Sequence, residues 1–181
     1  MSNGSITTAM GHPFTTTVLV GAAMALSPMA ARAAATCDQF KAAMIEGAAM
    51  YQAPAPKFVL WEPSPQNVQY FRILIFDDAQ ARMSCSDGEV GSFIADTDST
   101  EPRSRLHAGL LAGMGLHAAY GVSWGLALEM RDQLVDLAKA SDAQMAVVHF
   151  EGGKVSLVIS ASGMPSYKFD TDLCSRRPMA C

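Results

Sequence analysis

The sequence lacks two features that would point to a definite class of ligand. Its four cysteines, Cys37, Cys85, Cys174 and Cys181, form no CxxC pair, and no histidine stands at CxxH spacing from any of them. Zinc and covalently attached haem need ligands at such short spacing, so no metal and no cofactor are predicted. Positive charge is not in excess either. The formal net charge is −4, which gives no electrostatic footprint for nucleic acid.

The N-terminal segment has the pattern of a cleaved secretory signal. An apolar run at 15–30 is too short for a membrane span, and it is followed by small residues that end in an Ala-Ala-Ala triplet at 33–35. This A-x-A pattern is typical of a signal cleavage site, although no Lys or Arg precedes the run. We therefore predict that residues 1–35 are a secretory signal peptide and that the mature protein is periplasmic or secreted.

Four cysteines in an exported chain predict disulfide bonds. All four lie after residue 35, and they allow three pairings among which the sequence does not choose. A bond from the C-terminal cysteines to Cys37 or Cys85 would close a long loop and stabilise the fold by about 2–4 kcal/mol. A direct bond between Cys174 and Cys181 is the alternative and would stabilise less.

Residues 36–166 have the patterns of a single α+β domain. Thr36 and Gln39 have capping-box spacing, so a helix with one apolar face is expected at 37–51. Strands are expected at 57–61, 68–76 and 81–85, with a fourth at 90–95. The segment 68–76 is apolar on both faces, which predicts a central strand covered on both sides.

The longest apolar block, residues 106–140, contains no proline and is expected to be one long buried helix or two helices joined near Gly121. A hairpin with strands at 145–150 and 155–161 follows. A Gly152-Gly153 turn would place Val148 opposite Leu157 and His149 opposite Ser156. The order α-β-β-β(-β)-α-β-β predicts a largely antiparallel sheet packed on the long helix. Residues 167–181 show no periodicity and are expected to form a cysteine-bearing tail.

One motif favours an enzyme. Residues 121–125 read G-V-S-W-G, and in α/β-hydrolases a G-x-S-x-G turn exposes the nucleophilic serine, here Ser123. A candidate acid and a candidate base follow in the expected chain order: Asp132, Asp136 or Asp142, then His149. The preceding residues look helical, however, and little chain remains for the rest of that fold. The alternative is a Gly-Ser kink between two helices, with Trp124 packed in the core.

Two further features could in principle bind an ion, namely the acidic loop 96–105 and the pair His107 and His117. The acidic loop 96–105 lacks the glycine and the terminal glutamate of a calcium loop, so it is expected instead to lead into a helix N-terminus. His107 and His117 would point about 80° apart on a helix and form no metal pair. His107 is expected at the surface, and His117 is expected to be a packed, hydrogen-bonded residue.

Residues 108–128 are about as long as a membrane span and carry no Asp, Glu, Lys or Arg. They also contain two GxxxG pairs, so a membrane anchor is a further hypothesis. The sequence as a whole favours an exported, non-catalytic module that binds an unknown protein or small ligand. The alternatives are a small serine hydrolase that uses Ser123 and a protein anchored in the membrane through 108–128.

Overall fold

The structure, a computed structural model, describes residues 35–63, 67–150, 152–178 and 181. The predicted signal segment therefore lies outside the described residues, except for Ala35. Within them the chain forms four helices and seven strands. The helices are α1 Cys37–Met50, α2 Pro102–Tyr120, α3 Trp124–Ala140 and α4 Asp172–Arg176. The strands are β1 Lys57–Pro63, β2 Val68–Leu74, β3 Gln80–Ser86, β4 Glu89–Asp96, β5 Met145–Phe150, β6 Gly153–Ile159 and β7 Pro165–Thr171.

All seven strands join one antiparallel sheet in the order β1-β2-β3-β4-β7-β6-β5. Helices α1, α2 and α3 pack against one face of this sheet, where Phe40, Phe93 and Phe169 are fully buried. The predicted α+β class, the antiparallel sheet and the rough order of elements are confirmed. The capping box is confirmed as well, because Thr36 and Gln39 exchange backbone and side-chain hydrogen bonds at the start of α1.

The C-terminal segment differs from its prediction as a tail without regular structure. β7 fills the centre of the sheet between β4 and β6, and its Tyr167 and Phe169 are buried against the helices. The polar residues Ser166, Lys168 and Asp170 alternate with them in the sequence. They hide the strand from a search for apolar runs, although the alternation of polar and apolar residues is that of a strand with one covered face.

β2 also differs from its prediction as a strand covered on both sides. Ile73 faces the helices and is 1% exposed, whereas Leu74 on the opposite face is 50% exposed. The strand is second from the edge of the sheet, and the helices cover one face only. Apolar residues on both sides of β2 therefore did not imply two covered faces.

The apolar block forms two helices, as one of the two alternatives predicted. α2 ends at Tyr120, Gly121 adopts a left-handed conformation with φ 63°, and α3 begins at Trp124. Gly121 permits this break because a residue without a Cβ adopts positive φ at little cost. None of the described helices is both long enough and apolar enough to cross a membrane.

The hairpin is present, but its register differs by two residues from the prediction. Val148 pairs with Val155, and His149 pairs with Lys154, because the strand pairing already begins at Phe150 and Gly153. Gly153 is already part of β6, and a Cβ at this position would overlap the carbonyl oxygen of Asp170 in β7. The second glycine thus allows the close approach of a neighbouring strand and does not form the turn.

One disulfide bond lies within the N-terminal half of the chain, and the other lies within the C-terminal segment. Cys37 at the start of α1 is bonded to Cys85 in β3, and Cys174 in α4 is bonded to Cys181. The predicted disulfide bonding is supported, and the direct Cys174–Cys181 alternative is the one observed. The sequence separations are 48 and 7 residues. Loop-closure entropy then gives about 4 kcal/mol for the first bond and about 2 kcal/mol for the second.

Trp124 holds the three long helices together at their junction. Its ring stacks on His117 of α2 at 4.1 Å and meets Tyr51 edge to face at 5.7 Å. The ring also occupies the space beside Gly47 of α1, where a Cβ would overlap it. The side chain is thus packed as the kink alternative predicted.

We expect Gly47→Ala to destabilise the protein by about 1–3 kcal/mol, because the added methyl group would displace the Trp124 ring. This overlap outweighs the gain in helix propensity. Gly125→Ala is the matched control, since a Cβ there meets no atom within 4 Å and should be neutral or stabilising by up to about 1 kcal/mol. Urea unfolding measures both variants, and equal stability of the two would contradict the packing argument.

Candidate functional site

The sheet face opposite α1, α2 and α3, here called the open face, has none of these three helices packed on it. α4 covers only one end of it, where Arg176 contacts Glu89 and the disulfide-bonded sulfur of Cys174 lies 3.0 Å from the carbonyl oxygen of Gly91. Six large apolar side chains on the open face are between 45% and 50% exposed. They lie at two corners, one formed by β1 and β2 and the other by β5 and β6: Val59, Trp61 and Leu74, and Met145, Val147 and Val158.

The centre of the open face is polar and internally paired. Arg82 Nη2 lies 2.6 Å from Asp96 Oδ2. The Asp170 carboxylate is only 7% exposed and lies between two ammonium groups, 3.1 Å from Lys168 and 3.4 Å from Lys154. A carboxylate so deeply buried needs such partners, because removal from water strongly disfavours an unpaired charge.

A second feature is a cleft of about 560 Å³ between the end of α1, the loop after β2 and α2. At its centre His107 Nδ1 lies 2.5 Å from Asp78 Oδ1, and the imidazole stacks on the Phe76 ring at 4.0 Å. Ser104 Oγ donates to Asp78 Oδ2 at 3.2 Å. The hydrogen bond from His107 is the largest cause of a lowered Asp78 pKa, and burial opposes it.

The order of these contacts does not match a catalytic triad. In a triad the histidine lies between the serine and the acid, so that it takes the proton of the hydroxyl group. Here the acid lies in the middle and accepts from both Ser104 and His107. The arrangement instead braces the loop after β2 against α2. Thr97 completes the brace by donating from Oγ1 to the Asp78 carbonyl at 2.7 Å.

The sequence did not predict the cluster of Asp78, Ser104 and His107. His107 was expected at the surface, but its side chain is 13% exposed and packed on Phe76. His107 and Asp78 are 29 residues apart, and no motif links them. His117 agrees with its prediction, since it packs on Trp124 and its Nδ1 lies 2.6 Å from the carbonyl of Val122.

The residues of the G-x-S-x-G hypothesis are found in separate places. Ser123 is the N-cap of α3, and its Oγ accepts from the Leu126 amide at 3.3 Å. Asp132 pairs with its neighbour Arg131 at 2.6 Å. His149 lies in β5, the last strand of the sheet, in register with Lys154. The geometry gives Ser123 a capping role, and its role as a nucleophile stays a prediction.

The four cysteines form no metal site of the kind that thiolates make. Asp170, Cys174 and Cys181 offer ligand atoms within 4.8 Å of one another. The two sulfur atoms are bonded to each other, however, and a metal binds the thiolate form. Because Cys174 and Cys181 are bonded to each other, neither sulfur atom of this cluster is a thiolate that could bind a metal.

No family model, no curated protein and no solved structure matches this chain.

We expect Ser123→Ala to lower the free energy of unfolding by about 1 kcal/mol, because the variant loses the side-chain cap of α3. Denaturant unfolding measures the loss. A fluorophosphonate probe should leave the folded wild-type protein unlabelled. Labelling of the wild type that is absent from Ser123→Ala would instead establish the hydrolase hypothesis.

We expect Asp78 to make the protein sensitive to acid. Its pKa is lower in the folded state than the unfolded value near 4. Its stabilisation is therefore present above pH 4 and is lost as the pH falls through the lower, folded-state pKa. Asp78→Asn should be less stable than wild type at pH 7, and the difference should narrow from pH 4 downwards. Thermal unfolding across this range tests it, and a constant difference would contradict it.

Proposed function

We propose that this protein is an exported, disulfide-bonded binding protein whose open face takes a protein partner, and that it has no catalytic role. The observation that carries the proposal is the seven-stranded sheet with α1, α2 and α3 on one face and six exposed large apolar side chains on the other, of which the short α4 covers only one end. The two disulfide bonds are consistent with an oxidising compartment outside the cytoplasm. The N-terminal pattern of the sequence supports export in the same way.

The dimensions of the open face suit a protein partner. Seven strands at about 4.8 Å spacing, each about 20 Å long, give a surface on the order of 700 Å². Specific interfaces bury about 800 Å² on each partner. Exposed apolar patches at two corners provide anchors, and the ion-paired centre between them provides polar contacts.

Catalysis is not part of the proposal because the polar side chains with suitable chemistry are engaged in structural contacts. Asp170 is paired with two lysines, Asp78 accepts from His107 and Ser104, and Ser123 caps α3. A small ligand in the cleft beside His107 is the second candidate, which the cleft volume of about 560 Å³ favours.

Site-specific photo-crosslinking in cells of the source organism tests the proposal. A photoreactive amino acid at position 147, in one apolar corner, should give one discrete protein adduct. Val59→Asp, in the opposite corner, should abolish that adduct because both corners belong to one interface. Leu106→Asp is the matched control, since Leu106 is 58% exposed on α2, away from the open face, and should leave the adduct unchanged.

An adduct that survives Val59→Asp, or one formed from position 106 and not from 147, would contradict the open face as the interface.

The export part of the proposal is tested on the protein recovered from the same cells. Peptide mapping without reduction should find an N-terminus at Thr36 and the Cys37–Cys85 and Cys174–Cys181 bonds. An intact N-terminal segment with free thiols would contradict the export part of the proposal.

A further inference from the structure

The open face carries a surplus of positive charge on an acidic protein. Besides the Arg176–Glu89 pair at the end that α4 covers, its described side chains include five basic and two acidic groups. They are Lys57, Arg72, Arg82, Lys154 and Lys168, and Asp96 and Asp170. The whole chain has a net charge of −4, so negative charge is concentrated elsewhere on the molecule. A partner on the open face therefore meets a local field opposite in sign to that of the whole protein.

Three of the basic groups lie in one row that crosses the strands. Arg72 is directly opposite Arg82, Arg82 is opposite Ile94, and Ile94 is opposite Lys168. At about 4.8 Å per strand the row from Arg72 to Lys168 spans about 14 Å. Like charges directly opposite each other destabilise a sheet. In the Arg72–Arg82 pair, Arg82 forms an ion pair with Asp96, and Arg72 stacks on Trp61.

The row retains binding capacity after its internal contacts are made. The Arg72 guanidinium stacks on Trp61 at 4.2 Å and is exposed. Arg82 contacts Asp96 through Nη2, and its side chain remains 38% exposed. Lys168 shares the single carboxylate of Asp170 with Lys154. Two guanidinium groups and one ammonium group can thus accept further negative charge.

We propose that the open face recognises an acidic polypeptide segment laid across the strands, with Arg72, Arg82 and Lys168 as the basic stripe that contacts its carboxylates. The same row holds Ile94 between Arg82 and Lys168, and it ends in Val59 on one side and Val147 on the other. Guanidinium groups bind carboxylates in a bidentate manner. This inference rests on the proposed function and names the chemistry of the partner.

The other macromolecules that could cover this face fit less well. Nucleic acid and sulfated glycans carry charge at every unit, and Asp96 and Asp170 would repel such a dense polyanion. A second copy of the chain docked face to face would place one basic stripe against another. A segment in which carboxylates are spaced by apolar residues matches the charges and the aliphatic side chains together.

The two tryptophans of the chain provide the readout. Trp61 contacts Arg72 on the open face, and Trp124 packs among the helices. In Trp124→Phe the fluorescence comes from Trp61 alone. Addition of poly-L-glutamate should change this emission in a saturable manner. If Trp124→Phe does not fold, the wild type is compared with Trp61→Phe, in which the response should be lost.

Charge variants identify the stripe. Arg72→Gln and Lys168→Gln should each weaken poly-L-glutamate binding about threefold to fivefold, as expected for one exposed ion pair. Lys139→Gln, an exposed position in the last turn of α3, should leave binding unchanged. Raising the salt concentration from about 50 mM to about 200 mM should weaken binding strongly, because screening shortens the range of the interaction.

Equal effects of Lys139→Gln and the stripe variants would overturn the inference, as would no Trp61 response. Tighter binding of heparin or double-stranded DNA than of poly-L-glutamate would assign the stripe to another polyanion and overturn it too. So would concentration-dependent dimerisation through this face. A crosslinked partner that depends on Val59 but not on Arg72 or Lys168 would overturn the acidic segment and leave the proposed function intact.

Discussion

The close approach of α2 to the sheet at Gly115 and Phe93 is the contact on which the rest of the fold depends. A Cβ on Gly115 would overlap the Phe93 ring, so the ring lies directly against the helix backbone. Phe93 in turn packs on Phe40 of α1 and on Phe169 of β7, with ring centroids 5.4 Å apart in both pairs. One ring thus joins two helices and the two central strands. This contact draws the helices to one side of the sheet, and the other side is left as the open face.

Local features of this fold could be predicted from the sequence because neighbouring residues determine them. The Thr36–Gln39 capping box and the helix break at Gly121 involve residues three or four positions apart. The capping box was predicted, and the break was one of the two alternatives predicted for residues 106–140. β7 was missed because its outward residues are polar, as they must be on an uncovered face. The hairpin register was wrong because Gly153 is required by β7, a strand that is distant in sequence. The disulfide pairing also depends on which strand meets α1, and spacing alone does not contain that information.

The candidate surface was even less accessible to sequence reasoning. The basic stripe takes Arg72 from β2, Arg82 from β3 and Lys168 from β7, so no window of sequence contains a basic cluster. The Asp78–His107 brace is similarly assembled from a loop and a helix 29 residues apart. The G-x-S-x-G pattern is the opposite case, a motif that is evident in the sequence but has a structural explanation. Its residues are adjacent in sequence, and its glycine and serine are those that end one helix and cap the next.

The central position of β7 also determines when the fold can be completed. A chain leaves the ribosome, or a translocation channel, with its N-terminus first, and β7 is the last strand to emerge. β1–β4 can pair among themselves and form the Cys37–Cys85 bond, and β5 can pair with β6, but the two halves have no shared strand until residues 165–171 arrive. The chain therefore cannot close its core while any part of β7 is still inside a channel. The topology thus makes residues 165–171 the segment whose arrival lets the two halves of the sheet join.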